Sequence, residues 1–218
     1  MTSSALAVDA GPGRMAQRPE RPAVPSRVHG TALLLAAPLL FATSFIGLED
    51  SPSSTSAIDL TYHLLALATG ILIPLGVVAF NAPHAGAARK LGVVATVIIV
   101  TNWITGDLGQ FFYIVNFSPG ARVPEFVFTI FKDDAIVAIA ANIFLAAAIS
   151  LGRFYPRWIP WLCLANAAAE AFYVFMPHNK AALPINNVGG LVLACAYAVI
   201  GYYLLSRVPG LRPAAQSS

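Results

Sequence analysis

Long apolar runs separated by short polar connectors dominate the chain from residue 30 onward. The runs are Gly30–Leu48, Ala57–Phe80, Lys90–Asn116, Phe126–Ser150, Trp158–Met176 and Asn187–Leu205. Each is about 19 to 27 residues long, and at about 1.5 Å rise per residue such a helix crosses a hydrocarbon core of about 30 Å. In that medium every backbone polar group has to be satisfied within its own segment, so the pattern predicts an all-α, polytopic transmembrane bundle of six spans. Turn and stop residues punctuate it. Asn81-Ala82-Pro83-His84-Ala85-Gly86 separates spans two and three, and Gly152-Arg153-Phe154-Tyr155-Pro156-Arg157 separates spans four and five, with Pro156 placed to open a helix. Pro74 and Pro160 fall inside predicted spans, where they are expected to kink them. The other connectors, Glu49–Ser56, Phe117–Glu125 and Pro177–Asn186, read as lids over one end of the bundle.

Domain organisation follows from the same pattern. Residues 1–29, rich in Pro, Gly, Ala, Ser and Arg without a helical period, read as a disordered cytoplasmic tail; 30–207 form one six-span transmembrane domain; 208–218 form a second disordered cytoplasmic tail. The first span is long for a signal-peptide core and ends in Glu49-Asp50, so it reads as a retained anchor.

Composition sharpens this picture. The chain has 218 residues, of which 57% are hydrophobic and 11% charged, against about a quarter charged in a soluble domain. The net charge of +3 is spread over connectors and tails, which argues against a nucleic-acid partner. Arg14, Arg18, Arg21, Arg27, Arg89, Lys90, Arg153, Arg157, Arg207 and Arg212 fall on one side, and Arg122, Lys132 and Lys180 on the other. The positive-inside rule then puts both termini in the cytoplasm of a multi-pass cell-membrane protein. Cys163 and Cys195 lie inside spans and read as small apolar residues.

The acids sort by side as well. Glu49, Asp50, Asp59, Asp107, Glu125, Asp133, Asp134 and Glu170 fall toward alternate span ends and form an acidic cup on the outer side. Trp103, Asp107 and Gln110 share one face of span three, with Asp107 roughly 13 Å from its outer end; Asn166, Glu170 and Tyr173 share one face of span five, with Glu170 roughly 9 Å from its end. An ionisable group at that depth ordinarily faces the bundle interior and marks function. Two carboxyls facing each other there serve as a general acid and a general base. Asp134 shares a face with Ala138 and Asn142, whereas Lys132 and Asp133 read as an interfacial pair. Asp59 and His63, one turn apart at the start of span two, either fix the imidazole tautomer or stabilise a helix start. His178, Asn179, Asn186 and Asn187 are placed over the same mouth, with Tyr62, Tyr113, Phe111, Phe112, Phe126, Phe128, Phe131, Phe172 and Phe175 around it, although membrane-interface belts explain aromatics equally well. The spacing of His and acids matches no metal-ligand signature.

Phe154-Tyr155-Pro156-Arg157-Trp158-Ile159-Pro160-Trp161-Leu162 opening span five and Asn186-Asn187-Val188-Gly189-Gly190 entering span six resemble a broad group of small bacterial six-span membrane proteins without established chemistry. Chain size, span architecture and the paired acids Asp107 and Glu170 also resemble the small membrane-bound terpene cyclases of meroterpenoid and indole-terpenoid pathways, whose buried acids protonate an epoxide or alkene. That resemblance implies a cyclase or isomerase with no cofactor.

The leading expectation is therefore an enzyme acting on an isoprenoid or lipid-like substrate that enters from the bilayer, with Glu170 and Asp107 as the acid and base and Asp134 in support. Trp103, Gln110, Tyr113, Asn166, Tyr173, His63, Asp59 and Asn187 are the expected substrate contacts, with neither metal nor cofactor. Its partners would be that hydrophobic substrate and membrane lipid. Two rivals read the same acids differently: a proton-coupled carrier with a path through Thr69, Asn81, Asn142 and Tyr197, or a non-catalytic interaction or sensor subunit.

Overall fold

The computed structural model describes residues 26–49, 57–116, 125–176 and 178–207. They form six helices: α1 (Ser26–Glu49), α2 (Ala57–Val77), α3 (Gly86–Val115), α4 (Glu125–Gly152), α5 (Ile159–Phe175) and α6 (Ala182–Arg207). Five of these are long and apolar enough to cross a membrane; α5 is mostly apolar but only 17 residues long. The tails and the connectors 50–56 and 117–124, two of the expected lids, lie outside the described residues.

Each helix packs against its neighbours in sequence, and α1 packs against α6, so the six close into a ring. Directions alternate around it. One end gathers the C-termini of α1, α3 and α5 with the N-termini of α2, α4 and α6; it is called the site end below, and the opposite end the floor.

Small residues set the seams. A Cβ on Gly201 of α6 would lie 2.9 Å from the Gly30 carbonyl oxygen and 3.1 Å from the Leu34 nitrogen of α1, so the two backbones touch there. In an apolar medium little hydrophobic force joins helices, and close approach through small residues provides the packing that does. The floor is filled by bulk instead, with Leu33, Ile73, Phe80, Ile149, Ile159, Tyr197, Ile200 and Leu204 almost wholly buried.

Several boundaries differ from expectation. The α2 helix stops at Val77 and not Phe80, because tight turns follow, with Phe80 N–H bonded to Val77 O and Ala82 N–H to Ala79 O. These turns swing Phe80 into the core, where its ring stacks on Tyr155 with centroids 5.4 Å apart. Pro160 does not kink a span: α5 starts at Ile159, so Pro160 sits in the first turn, where a missing N–H is harmless. Pro156 stays in the connector, its carbonyl accepting the Ile159 N–H at 3.2 Å. Helix α6 begins at Ala182, its start marked by Asn179, whose side chain accepts the Ala181 N–H at 2.9 Å. Asn186 and Asn187 therefore lie within the helix and not in a loop.

His84 anchors the α2–α3 turn. Its Nδ1 pairs with the Phe80 carbonyl at 3.1 Å, and its ring lies against Phe80 and Tyr155. Burial holds the imidazole below its ordinary range, partly offset by backbone hydrogen bonds, and the same burial pushes the Tyr155 phenol up.

Two predictions follow from this packing. Gly201→Ala forces α1 and α6 apart and should lower stability by about 1–3 kcal/mol, read as a lower unfolding midpoint in detergent, while Cys195→Ala on the outer surface should stay within about 0.5 kcal/mol. Because the folded chain keeps His84 neutral where the unfolded chain takes up a proton, stability is full above about pH 6.5 and falls as the pH drops below it. His84→Gln should flatten that part of the stability profile between about pH 7 and pH 5.

Candidate functional site

Three consecutive helices each turn one carboxyl inward. On α3, Asn102, Gly106, Gly109 and Tyr113 form the buried ridge that faces α4. Asn102 Nδ2 donates to both the backbone carbonyl (3.2 Å) and the Oδ1 of Asp134, and a Cβ on Gly106, one turn along, would stand 3.0 Å from Asp134 Oδ2. The carboxyl of Asp134 is thus cradled by an amide and an absent side chain. Asp107, on the same helix, rests its carboxyl on Gly70 of α2, in the space that any Cβ at that position would fill. From α5, Glu170 completes the group. Asp134 interacts electrostatically with Asp107 and with Glu170, which makes it the middle member of the three.

Measured along their helices, these groups share a level. Asp107, Asp134 and Glu170 lie about 8–14 Å from the site end of α3, α4 and α5. Across the ring, Tyr62 of α2 interacts with both Tyr173 and Glu170 of α5, although α2 and α5 are not packed neighbours. These contacts run through the interior of the ring.

An aromatic and amide wall completes the α2–α3–α4 side. The His63 ring stacks on Tyr113 with centroids 3.5 Å apart, lies parallel to Phe131 at 6.2 Å and meets Tyr62 edge-on. Its Nδ1 pairs with Gln110 Oε1, an acceptor, so Nδ1 is the donor of that bond. Gln110 thus holds the imidazole from α3, where the sequence left open whether Asp59 fixes the tautomer or stabilises the helix start; Asp59 is buried nearby and interacts with His63 electrostatically. Trp103 of α3 interacts with Tyr197 of α6 across the ring.

On the α5–α6 side, Asn166 lies one turn from Glu170 toward the floor and is 1% exposed, and Asn187 is 8% exposed. Asn166 Oδ1, Asn187 Nδ2 and Asn186 Oδ1 are buried without a hydrogen-bond partner. Gly189 brings α6 close here, since its Cβ would lie 2.6 Å from Ala169 Cβ and 3.0 Å from Asn166 Oδ1. Gly190, its neighbour, admits the hydroxyl of Ser44 from α1.

Of the residues expected in the cup, Asp107, Asp134 and Glu170 share one level and Asp59 is buried beside His63, whereas Glu125 and Asp133 are exposed and Asp50 lies outside the described residues. Phe111, Phe112, Phe126 and Phe175 are exposed on the outside of the ring, whereas Tyr62, Trp103, Tyr113, Phe131 and Tyr173 accompany the polar groups. Lys132 and Asp133 are also exposed, as are His178 and Lys180. Among the described residues no three His, Cys, Asp or Glu side chains come close enough together to hold one metal ion. Asn102, Gly70 and Gly106 were not anticipated. The four-residue step from Asn102 to Gly106 was the available signal, overlooked because the more polar Trp103–Asp107–Gln110 stripe runs beside it. A shallow depression lined by Gly86, Arg89, Lys90 and Val93 lies at the floor end and contains none of these groups.

Comparison with family models, curated proteins and solved structures yields no match, so the geometry alone carries the reading. Asn102→Ala strips the amide donor from both the backbone and the side chain of Asp134. It should lower stability by about 1–3 kcal/mol, measured by thermal unfolding in detergent, because a buried acceptor loses its partner.

Proposed function

We propose that this chain is an integral membrane enzyme that cyclises or isomerises an isoprenoid or other lipid-like substrate by carboxyl acid–base chemistry. The observation that carries the reading is the interior grouping of Asp107, Asp134 and Glu170 from three consecutive helices, with Asp134 electrostatically linked to both others. Glu170 and Asp107 are the proton donor and acceptor, and Asp134, held by Asn102, positions charge between them.

The chemistry balances without an oxidant or reductant. A carboxyl proton passes to an alkene carbon or epoxide oxygen of the substrate, and the cation that develops is attacked by a second double bond to form a carbon–carbon bond. A carboxylate then removes a proton from the neighbouring carbon, so that product and substrate have one composition. The ring faces of Tyr62, Tyr113, Phe131 and Tyr173 suit the cationic stage. The distribution of Lys and Arg supports cytoplasmic termini and an outward-facing site end.

A continuous polar path for a carried solute receives less support. Thr69 and Asn142 bond to carbonyls of their own helices, Asn81 donates to Thr96, and Tyr197 is paired with Trp103 above a packed floor.

The test is product analysis on membranes carrying the chain, incubated with prenylated and epoxidised lipids. Wild type should form an isomeric product, and Asp107→Asn, Asp134→Asn and Glu170→Gln should each lower the rate by about 100-fold or more. Gly70→Ala, whose methyl group takes the seat of the Asp107 carboxyl, should lower it by about tenfold or more. No conversion by folded wild type, together with substrate-dependent proton movement into vesicles, would instead establish the carrier.

A further inference from the structure

The three unpaired amide groups call for a ligand. Burying an amide oxygen or N–H without a partner is unfavourable, and native interiors almost always pair such groups. Three lie on α5 and α6, and two of those side chains are more than nine-tenths buried; the fourth unpaired amide among the described residues, Asn81 Oδ1, belongs to the turn after α2. Asn166 shares its helical face with Glu170 and Tyr173, which interact with Tyr62 across the ring, so that face borders the same interior as the carboxyls. Asn186 and Asn187 lie about 6–8 Å from the start of α6, near the level of Glu170. What is left over is two acceptors, Asn166 Oδ1 and Asn186 Oδ1, and one donor, Asn187 Nδ2.

We propose that Asn166, Asn186 and Asn187 form a polar-head subsite beside the carboxyl group, and that its ligand is a lipid-like molecule bearing a hydroxyl. A hydroxyl both donates and accepts, which matches the leftover groups; a hydrocarbon supplies neither, and an ether only accepts. The inference rests on the acid–base reading for the identity of the site, and adds that the substrate is an alcohol held by its head while the carboxyls work on its apolar body. Gly189 leaves no side chain between α6 and Asn166 Oδ1.

Binding tests this separately from turnover. The full chain in nanodiscs would be titrated with farnesol, farnesyl methyl ether and farnesene, with empty nanodiscs as reference. Wild type should bind the alcohol about tenfold or more tightly than the hydrocarbon, with the ether between them, as expected when buried polar groups go unpaired. Asn166→Ala should bring the alcohol toward the ether, and Asn187→Ala the ether toward the hydrocarbon. Equal affinities in wild type, as when the amides hold only water, would overturn the subsite, as would a hydroxyl preference unchanged in both variants or no saturable binding at all. The wild-type comparison needs no variant to fold. A hydroxyl preference without any conversion would retire the acid–base reading and keep the subsite, whereas conversion of hydrocarbon and alcohol with equal affinity would do the reverse.

Discussion

Ring closure is the constraint on which the rest depends. Five of the helix contacts join neighbours in sequence and follow almost automatically from short connectors, but the α1–α6 seam joins the two ends of the described chain and creates an interior. It is built on backbone touching backbone at Gly30 and Gly201. Without that approach the polar faces of α2 through α5 would lie open on the outside of a bundle of largely apolar helices, and in an apolar medium unpaired carboxyls and amides are strongly disfavoured. With it, they have one another.

The interior is divided by bulk. At the floor end, Phe80, Tyr155, Tyr197 and the aliphatic residues around them fill the ring, and His84 pins the turn that closes it. Toward the site end the same positions around the ring are small or polar: Gly70 under Asp107, Gly106 beside Asp134, Gly189 beside Asn166 and Gly190 beside Ser44. Glycine does two jobs in this bundle, drawing backbones together at the seam and making seats for polar side chains at the site. The second job turns a packed bundle into one with a chemically equipped interior, since the carboxyls of Asp107 and Asp134 are seated on or beside a neighbouring helix where a larger residue would displace them.

Much of this was legible in the chain. Six apolar runs became six helices, and the inward faces of α3 and α5 were readable from Trp103, Asp107 and Gln110 and from Asn166, Glu170 and Tyr173, because helical spacing alone decides which residues share a face. Boundaries were less legible where aromatic residues continued an apolar run into a turn, as at Phe80, or where polar residues lay inside a helix, as at Asn186 and Asn187. The partners of the site residues were the least legible. Asp59 was the obvious neighbour for His63 one turn away, yet the imidazole reaches across to Gln110 on α3; Asn102 looked like an ordinary polar residue until α4 brought Asp134 against it.

Hydropathy and helical periodicity, local properties of a chain whose backbone hydrogen bonds close within each segment, were enough to give the class of structure, the number of helices and the shared faces of Trp103, Asp107 and Gln110 and of Asn166, Glu170 and Tyr173. Only the tertiary structure decided which faces meet. That Asp134 and not Asp107 stands in the middle of the carboxyls, that Gly70 and Gly106 are seats, and that three amides are left unpaired beside the acids all depend on helix order around the ring and on rotation of each helix within it. Those are set by the close fit of side chains between neighbouring helices, a property of pairs of surfaces that no single segment contains.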